Sequence, residues 1–229
     1  MRAFCLRYEM RAHNKKIIGE PSLYLVLSEE YGAGRSVMSI AEEAVAGGID
    51  ILQMREKHKS REDLLRLGSA LGELCRKNKV TFIVNDDPLL AAELDADGVH
   101  MGQKDLQRCP LDEVRRIIGI DRIIGLSTHS LEQFQRANTL DVDYLAFGPI
   151  FPTQTKDYSI GTADIREALR VALKPVVFIG GVNTANLGIL LKEGAASVAL
   201  IRDIMQADDV ASRTAWYKSQ LAKGGINAK

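Results

Sequence analysis

From Leu23 onward the chain alternates two textures. Short apolar runs rich in Val and Ile read as strands buried on both faces: "LYLVLS", "DILQMR", "TFIVND", "GVHMG", "IIGLSTH", "YLAFGPI", "VVFIGG" and "SVALIR". Between them lie longer stretches with apolar residues three and four apart, the spacing of amphipathic helices: "SVMSIAEEAVAGG", "REDLLRLGSALGELCRKN", "LDEVRRIIG", "LEQFQRAN", "ADIREALRVAL" and "NTANLGILLKEG". "PLLAAELD" fills the slot between the third and fourth strands, and "DDVASRTAWYKSQLAK" reads as a final helix. Eight strands, each followed by a helix, predict an α/β fold of the (β/α)8 TIM-barrel type, because eight parallel strands close on themselves. The competitor is an open doubly wound sheet, which at that length is less common without extra edge elements. No Pro-, Gly- or Ser-rich linker divides the pattern. The expected organisation is one barrel domain over residues 21–229, preceded by a short extension over 1–20.

Composition adds mainly exclusions. Of 229 residues, 46% are hydrophobic and 26% charged, as in ordinary globular domains. The 30 basic and 30 acidic residues cancel, so nothing in the bulk charge points to nucleic acid or an anionic membrane, and any anion site must be local. The opening "MRAFCLRYEMRAHNKKIIGEP" mixes charge throughout and reads as neither signal peptide nor membrane span. Cys5, Cys75 and Cys109 lie far apart with no metal-ligand spacing, which suggests reduced thiols and a cytoplasmic protein. Cys75 falls in an amphipathic run and reads as a small hydrophobe there.

In a parallel barrel the C-terminal strand ends share one rim, where active sites sit. Those ends are polar here: Gln53, Arg55, Glu56 and Lys57 after the second strand, Asn85, Asp86 and Asp87 after the third, Asp105 after the fourth, and Ser127, Thr128 and His129 after the fifth. "GPIFPTQTK" follows the sixth with Thr153, Thr155 and Lys156. Strand starts show almost no polar side chains beyond turn formers.

Gln53, Arg55 and Lys57 alternate, so period two would point all three into one mouth as a polyanion clamp, with Arg gripping two phosphate oxygens at once. A surface Arg and Lys at a strand end are also common. Asp86 and Asp105 beside those cations suit a divalent ion that bridges phosphate oxygens, or else a salt-bridge network with Arg55 and Lys57. Asp87 fits as the cap of the helix opening at Pro88. Gly180 and Gly181, read as opening a helix, offer backbone N–H groups to a phosphate, or simply form a tight turn. The start of "IRDI", Ile201 and Arg202, adds a further short helical N-terminus. The expectation is a rim that holds a diphosphate with a metal beside a monophosphate, with Lys156 between. His129 has no acid partner nearby in sequence and reads as structural.

The segments "QMREK", "VNDD", "DADGVHMGQKD", "GLSTH", "FGPIFPTQTK", "IGGVN" and "GAASVALI", in this order, resemble the thiamine-phosphate synthase family. The resemblance implies a transferase that couples a hydroxymethylpyrimidine diphosphate with a hydroxyethylthiazole phosphate by a dissociative reaction. It implies that Gln53, Arg55, Lys57, Asn85, Ser127 and Lys156 bind the pyrimidine diphosphate, with Arg55, Lys57 and Lys156 catalytic, and that Asp86 and Asp105 hold Mg2+. Thr153, Gln154, Thr155, Gly181 and the Ile201–Arg202 backbone would hold the thiazole phosphate. Two features depart from the family pattern: Arg202 stands where serine is common, and the loop "DYSIGTAD" after Lys156 is short. Expected partners are the two small-molecule substrates, with no nucleic acid and no membrane; a homo-oligomer is compatible with the family. The rival readings are a thiazole tautomerase-like enzyme and a non-catalytic barrel that binds thiamine precursors.

Overall fold

The structure is a computed structural model that describes Ile18 and residues 21–226. Apart from Ile18, the extension expected over 1–20 lies outside the described residues, as does Cys5. Eight parallel strands close in sequence order: β1 (Leu23–Leu27), β2 (Ile51–Met54), β3 (Thr81–Asn85), β4 (Gly98–Met101), β5 (Ile123–Thr128), β6 (Tyr144–Phe147), β7 (Val176–Ile179) and β8 (Val198–Leu200), with β8 pairing back onto β1. This settles the choice between barrel and open sheet.

The helices are α1 (Val37–Ala46), α2 (Arg61–Asn78), α3 (Pro88–Glu93), α4 (Asp105–Arg108), α5 (Leu111–Ile118), α6 (Leu131–Ala137), α7 (Ile165–Val171), α8 (Leu187–Lys192), α9 (Arg202–Met205) and α10 (Val210–Ile226). A single 3₁₀ turn, Glu29–Tyr31, follows β1. Local chemistry fixes several helix starts. Ser60 accepts from the Asp63 N–H at 3.1 Å ahead of α2, and Ser130 from the Gln133 N–H at 3.2 Å ahead of α6. Asp87 accepts from the Leu90 N–H at 2.8 Å, with Pro88 at the first helical position of α3, which is the cap expected for it.

Strand side chains divide by parity. Leu23, Leu25 and Leu27 face the helices in the main core, as do Leu52, Met54, Phe82, Val84, Val99, Leu126, Leu145 and Phe178. Tyr24, Val26, Ile51, Ile83, Ile123, Tyr144, Val177 and Ala199 form a second cluster inside the barrel, joined by Ile18. Gly125 makes room for this filling, because a Cβ there would lie 2.1 Å from Cζ of Tyr144. Cys75 is buried between α2 and the sheet, as a small hydrophobe.

The strand starts differ from expectation. Asp50, Asp97 and Asp143 precede β2, β4 and β6, and each accepts a backbone N–H from the preceding strand: Leu23 at 2.7 Å, Phe82 at 2.8 Å and Ile124 at 2.7 Å. Hydrogen bonding to main chain at the closed end is a structural use of carboxylates, so polarity at that end does not compete with the rim as a site.

Candidate active site

The C-terminal rim surrounds a cavity of about 1160 Å³. Gln53, Arg55, Lys57, Asn85, Asp86, Asp105, Ser127, Thr153, Gln154, Thr155, Lys156, Gly181, Ile201 and Arg202 all line it. Glu56 turns away to accept the Glu29 N–H at 2.7 Å. His129 lines the cavity but is tied to the Gly148 carbonyl through Nδ1 at 2.6 Å.

Two local readings change, and the structure adds a third local feature. First, β2 ends at Met54, so only Gln53 projects from the strand itself; Arg55 is held by its N–H to the Leu27 carbonyl at 2.9 Å, and Lys57 sits in the following loop. The loop, not strand alternation, brings Lys57 to the cavity. Second, Gly180 and Gly181 do not open a helix. They take φ of 100° and 66°, a conformation suited to glycine. A turn follows in which Asn183 Oδ1 accepts from Ala185 (2.9 Å) and Asn186 (3.2 Å), and α8 starts only at Leu187. Asn183 therefore takes up the Ala185 and Asn186 N–H groups in the turn ahead of α8. Third, Thr153 and Lys156 pair in a tight antiparallel bridge, which holds Thr155 N–H near Thr153 Oγ1 at 3.4 Å. The loop beyond is pinned by Ile160 N–H to the Pro149 carbonyl (2.8 Å) and Gly161 N–H to the Ile150 carbonyl (3.1 Å).

Asp86 follows β3 with φ of 61°, a left-handed conformation that a short polar side chain tolerates. Its N–H is fixed by the His100 carbonyl at 2.8 Å, and Asn85 Nδ2 donates to its Oδ2 at 2.5 Å. Asp105, the first residue of α4, converges on the same spot from β4's side, both carboxylates approaching Gly102. Burial, and then the neighbouring charge of Asp105, push the Asp86 carboxyl up to about 6. Among the described residues, none of Arg55, Lys57, Lys156, Asp86 and Asp105 enters an ion pair within 4.0 Å. The salt-bridge network is thus not what these groups form. Arg55 Nη1 is instead buried with no hydrogen-bond partner.

Below the rim runs a polar chain that sequence reasoning missed. Gln53 Nε2 donates to Tyr24 Oη at 2.7 Å, and Tyr24 Oη lies 2.9 Å from Tyr144 Oη. His100 Nδ1 reaches Tyr144 Oη at 2.7 Å, and its Nε2 reaches Ser127 Oγ at 2.8 Å. Two expected substrate contacts, Gln53 and Ser127, are therefore the ends of one buried network spanning five strands. The signal was parity: Tyr24, His100 and Tyr144 occupy inward positions in strands whose other inward residues are apolar or glycine. Lys104 and Arg108 also line the cavity beside Asp105 and were not singled out.

Burial holds the His100 imidazole down at about 4, with the His129 charge adding to the effect. In the unfolded chain it takes a proton near 6.5, so its contribution to stability is complete above pH 6.5 and is lost as pH falls toward 4. Asp86 acts in the opposite sense: its folded carboxyl binds a proton near 6 and its unfolded one near 3.8, so lowering pH over that window relieves its penalty. In metal-free protein the two largely offset each other. With Asp86→Asn the offset is removed, and urea denaturation should show stability falling by about 3 kcal/mol between pH 6.5 and 4, at roughly 1.4 kcal/mol per pH unit. Equal pH slopes for the variant and the parent would contradict this.

A family model described as thiamine monophosphate synthase matches residues 23–204, which is most of the chain and the whole barrel wall. The chain belongs to that family. A thiamine-phosphate synthase from Persephonella marina is 39% identical over 200 residues, covering 86% of this chain and 94% of the relative. One from Shouchella clausii is 41% identical over 191 residues, covering 82% and 90%. Among solved structures, a thiamine phosphate pyrophosphorylase from Pyrococcus furiosus superposes with a TM-score of 0.80 at 31% identity, covering 89% of this chain and 96% of that one. Membership of the thiamine monophosphate synthase family makes the chain a transferase of thiamine biosynthesis. No helix among the described residues is long and apolar enough to cross a membrane.

Proposed function

We propose that this chain couples 4-amino-2-methyl-5-hydroxymethylpyrimidine diphosphate with 4-methyl-5-(2-hydroxyethyl)thiazole phosphate, giving thiamine phosphate and diphosphate, with residues 21–229 as the catalytic domain. The observation that carries this reading is the buried, unpartnered Nη1 of Arg55 in a cavity where, among the described residues, Arg55, Lys57, Lys156, Asp86 and Asp105 form no ion pair within 4.0 Å. A buried charged donor without an acceptor is costly unless a ligand supplies one, and a diphosphate does.

The acid pair fits a divalent ion. The Asp86 carboxyl, pushed up to about 6 by burial and then by the Asp105 charge beside it, would be stabilised by a cation between the two, and among the described residues no third Asp, Glu, His or Cys joins them. Such a two-carboxylate site suits Mg2+, which takes much of its shell from water and substrate phosphate oxygens. Asp86 and Asp105 would hold it, with Asn85 fixing the Asp86 carboxylate. The ion, when bound, supplies positive charge to the leaving diphosphate.

In the reaction, the bond from the pyrimidine methylene carbon to the diphosphate oxygen breaks, and its electron pair leaves with that oxygen. The thiazole nitrogen then gives its lone pair to the methylene carbon, so no proton has to move and no protein nucleophile is required. Arg55, Lys57 and Lys156 face negative charge that grows as the bond breaks, so they favour the transition state over the bound substrate. Gln53 and Ser127, fixed from below by Tyr24 and His100, orient the pyrimidine. Thr153, Gln154, Thr155, Gly181 and the Ile201–Arg202 backbone hold the thiazole phosphate. A tautomerase-like enzyme would leave the half of the cavity built from Arg55, Asn85 and Asp86 without a use. The partners proposed are these two small molecules, in the cytoplasm, with a homo-oligomer as the assembled form.

Lys156 is exposed at the mouth and pairs with no carboxylate among the described residues, so its charge is available to the departing group. Steady-state kinetics of Lys156→Ala should show kcat lower by about 100-fold with KM for either substrate within about threefold. A rise in KM at constant kcat would reassign Lys156 to ground-state binding.

A further inference from the structure

Arg202 is a cation without a counter-charge. Among the described residues it joins no ion pair, whereas its neighbour Asp203 is taken up by Arg213 at 2.7 Å and Tyr217 at 2.6 Å. Its guanidinium carbon lies 4.2 Å from the centroid of the Tyr31 ring. Tyr31 is buried at the end of the 3₁₀ turn after β1, and its carbonyl accepts from Gln206 Nε2 at 3.2 Å, so the ring is a fixed platform. Tyr31 does not itself line the cavity; Arg202 covers it and is the group the cavity meets. A guanidinium stacked on an aromatic face keeps its N–H edge free for bonds in its own plane. That edge points toward the threonines: Nη1 donates to Thr155 Oγ1 at 3.2 Å, and Thr155 Oγ1 lies 3.5 Å from Thr153 Oγ1. Gly181 borders the same cavity.

We propose that the Arg202 side chain binds the phosphate of the thiazole substrate directly, with Tyr31 as its positioning residue, so that preference for the phosphorylated thiazole over the free alcohol rests largely on this cation. The proposal rests on the assignment of the threonine side of the cavity to the thiazole phosphate. It gives the departure from serine at this position a function: the platform holds the larger side chain against the wall, where it adds charge to the threonine hydroxyls.

Calorimetric titration of the full chain with thiazole phosphate, and separately with the thiazole alcohol, tests this without any need for turnover. Arg202→Gln should weaken binding of the phosphate by about 10- to 100-fold, the range of a charge-assisted hydrogen bond, and leave the alcohol unchanged. Arg202→Lys should restore part of the loss. Tyr31→Leu should reproduce part of it, and Tyr31→Phe, which keeps the ring, should rescue. The parent's phosphate affinity should fall more steeply with added salt than that of Arg202→Gln. Equal or tighter phosphate binding by Arg202→Gln, or equal losses for both ligands, would overturn the role of Arg202. Binding of neither thiazole ligand by the parent would overturn the substrate assignment itself, a separate and distinguishable failure.

Discussion

The double variant Asp86→Asn, Asp105→Asn is expected to lose diphosphate release by at least about 10³-fold in kcat/KM, because both side-chain ligands proposed for the ion are neutralised together. Stability should move the other way. Asp86 is half-buried, and burial together with the Asp105 charge disfavours its ionisation, with no cation within ion-pair distance among the described residues. Removing that repulsion should leave the metal-free variant at least as stable as the parent at pH 7, read by urea denaturation. Adding Mg2+ should raise the melting temperature of the parent and not that of the variant. Retained turnover within tenfold of the parent would remove these residues from the metal site.

Arg55→Met should show the second large effect. Its Nη1 has no partner and is buried, so the empty fold carries a desolvation penalty of about 1–3 kcal/mol that a methionine of similar length avoids. Folding stability should therefore stay level or rise by about 1 kcal/mol. Catalysis should fall by about 10²–10³-fold, since a cation facing the leaving diphosphate contributes most as that charge develops. The opposed signs make the result informative: a variant that is both less stable and fully active would mean that Arg55 is a structural residue. Kinetics and chemical denaturation on the same preparation decide it.

The barrel was legible because each strand is a short apolar run buried on both faces, and the runs recur with helical spacing between them. The rim was legible for a related reason. Where a strand leaves the core its residues turn polar, so Gln53, Asn85, Asp86, Ser127 and Lys156 stand out against Val- and Ile-rich neighbours. The buried chain from Gln53 through Tyr24, Tyr144 and His100 to Ser127 was not legible as a network, because closure alone brings five strands together around it. Lys57 was placed on a strand because alternation cannot show that pairing stops at Met54. Gly180 and Gly181 were read as opening a helix because the sequence does not reveal that Asn183 would cap the next turn with its own side chain. Nothing in the sequence marked Asp50, Asp97 and Asp143 as backbone acceptors, since their partners lie on strands 15 or more residues earlier.

The claim on which the rest depends is that converging cations and a metal-bearing acid pair draw diphosphate away from carbon. The direct measurement follows both products when the chain is incubated with the two substrates and Mg2+. Thiamine phosphate and diphosphate appearing in equal amounts, and neither appearing when a chelator removes the metal, is the expected result. Binding of both substrates with no diphosphate released, or release that continues unchanged under chelation, would contradict it.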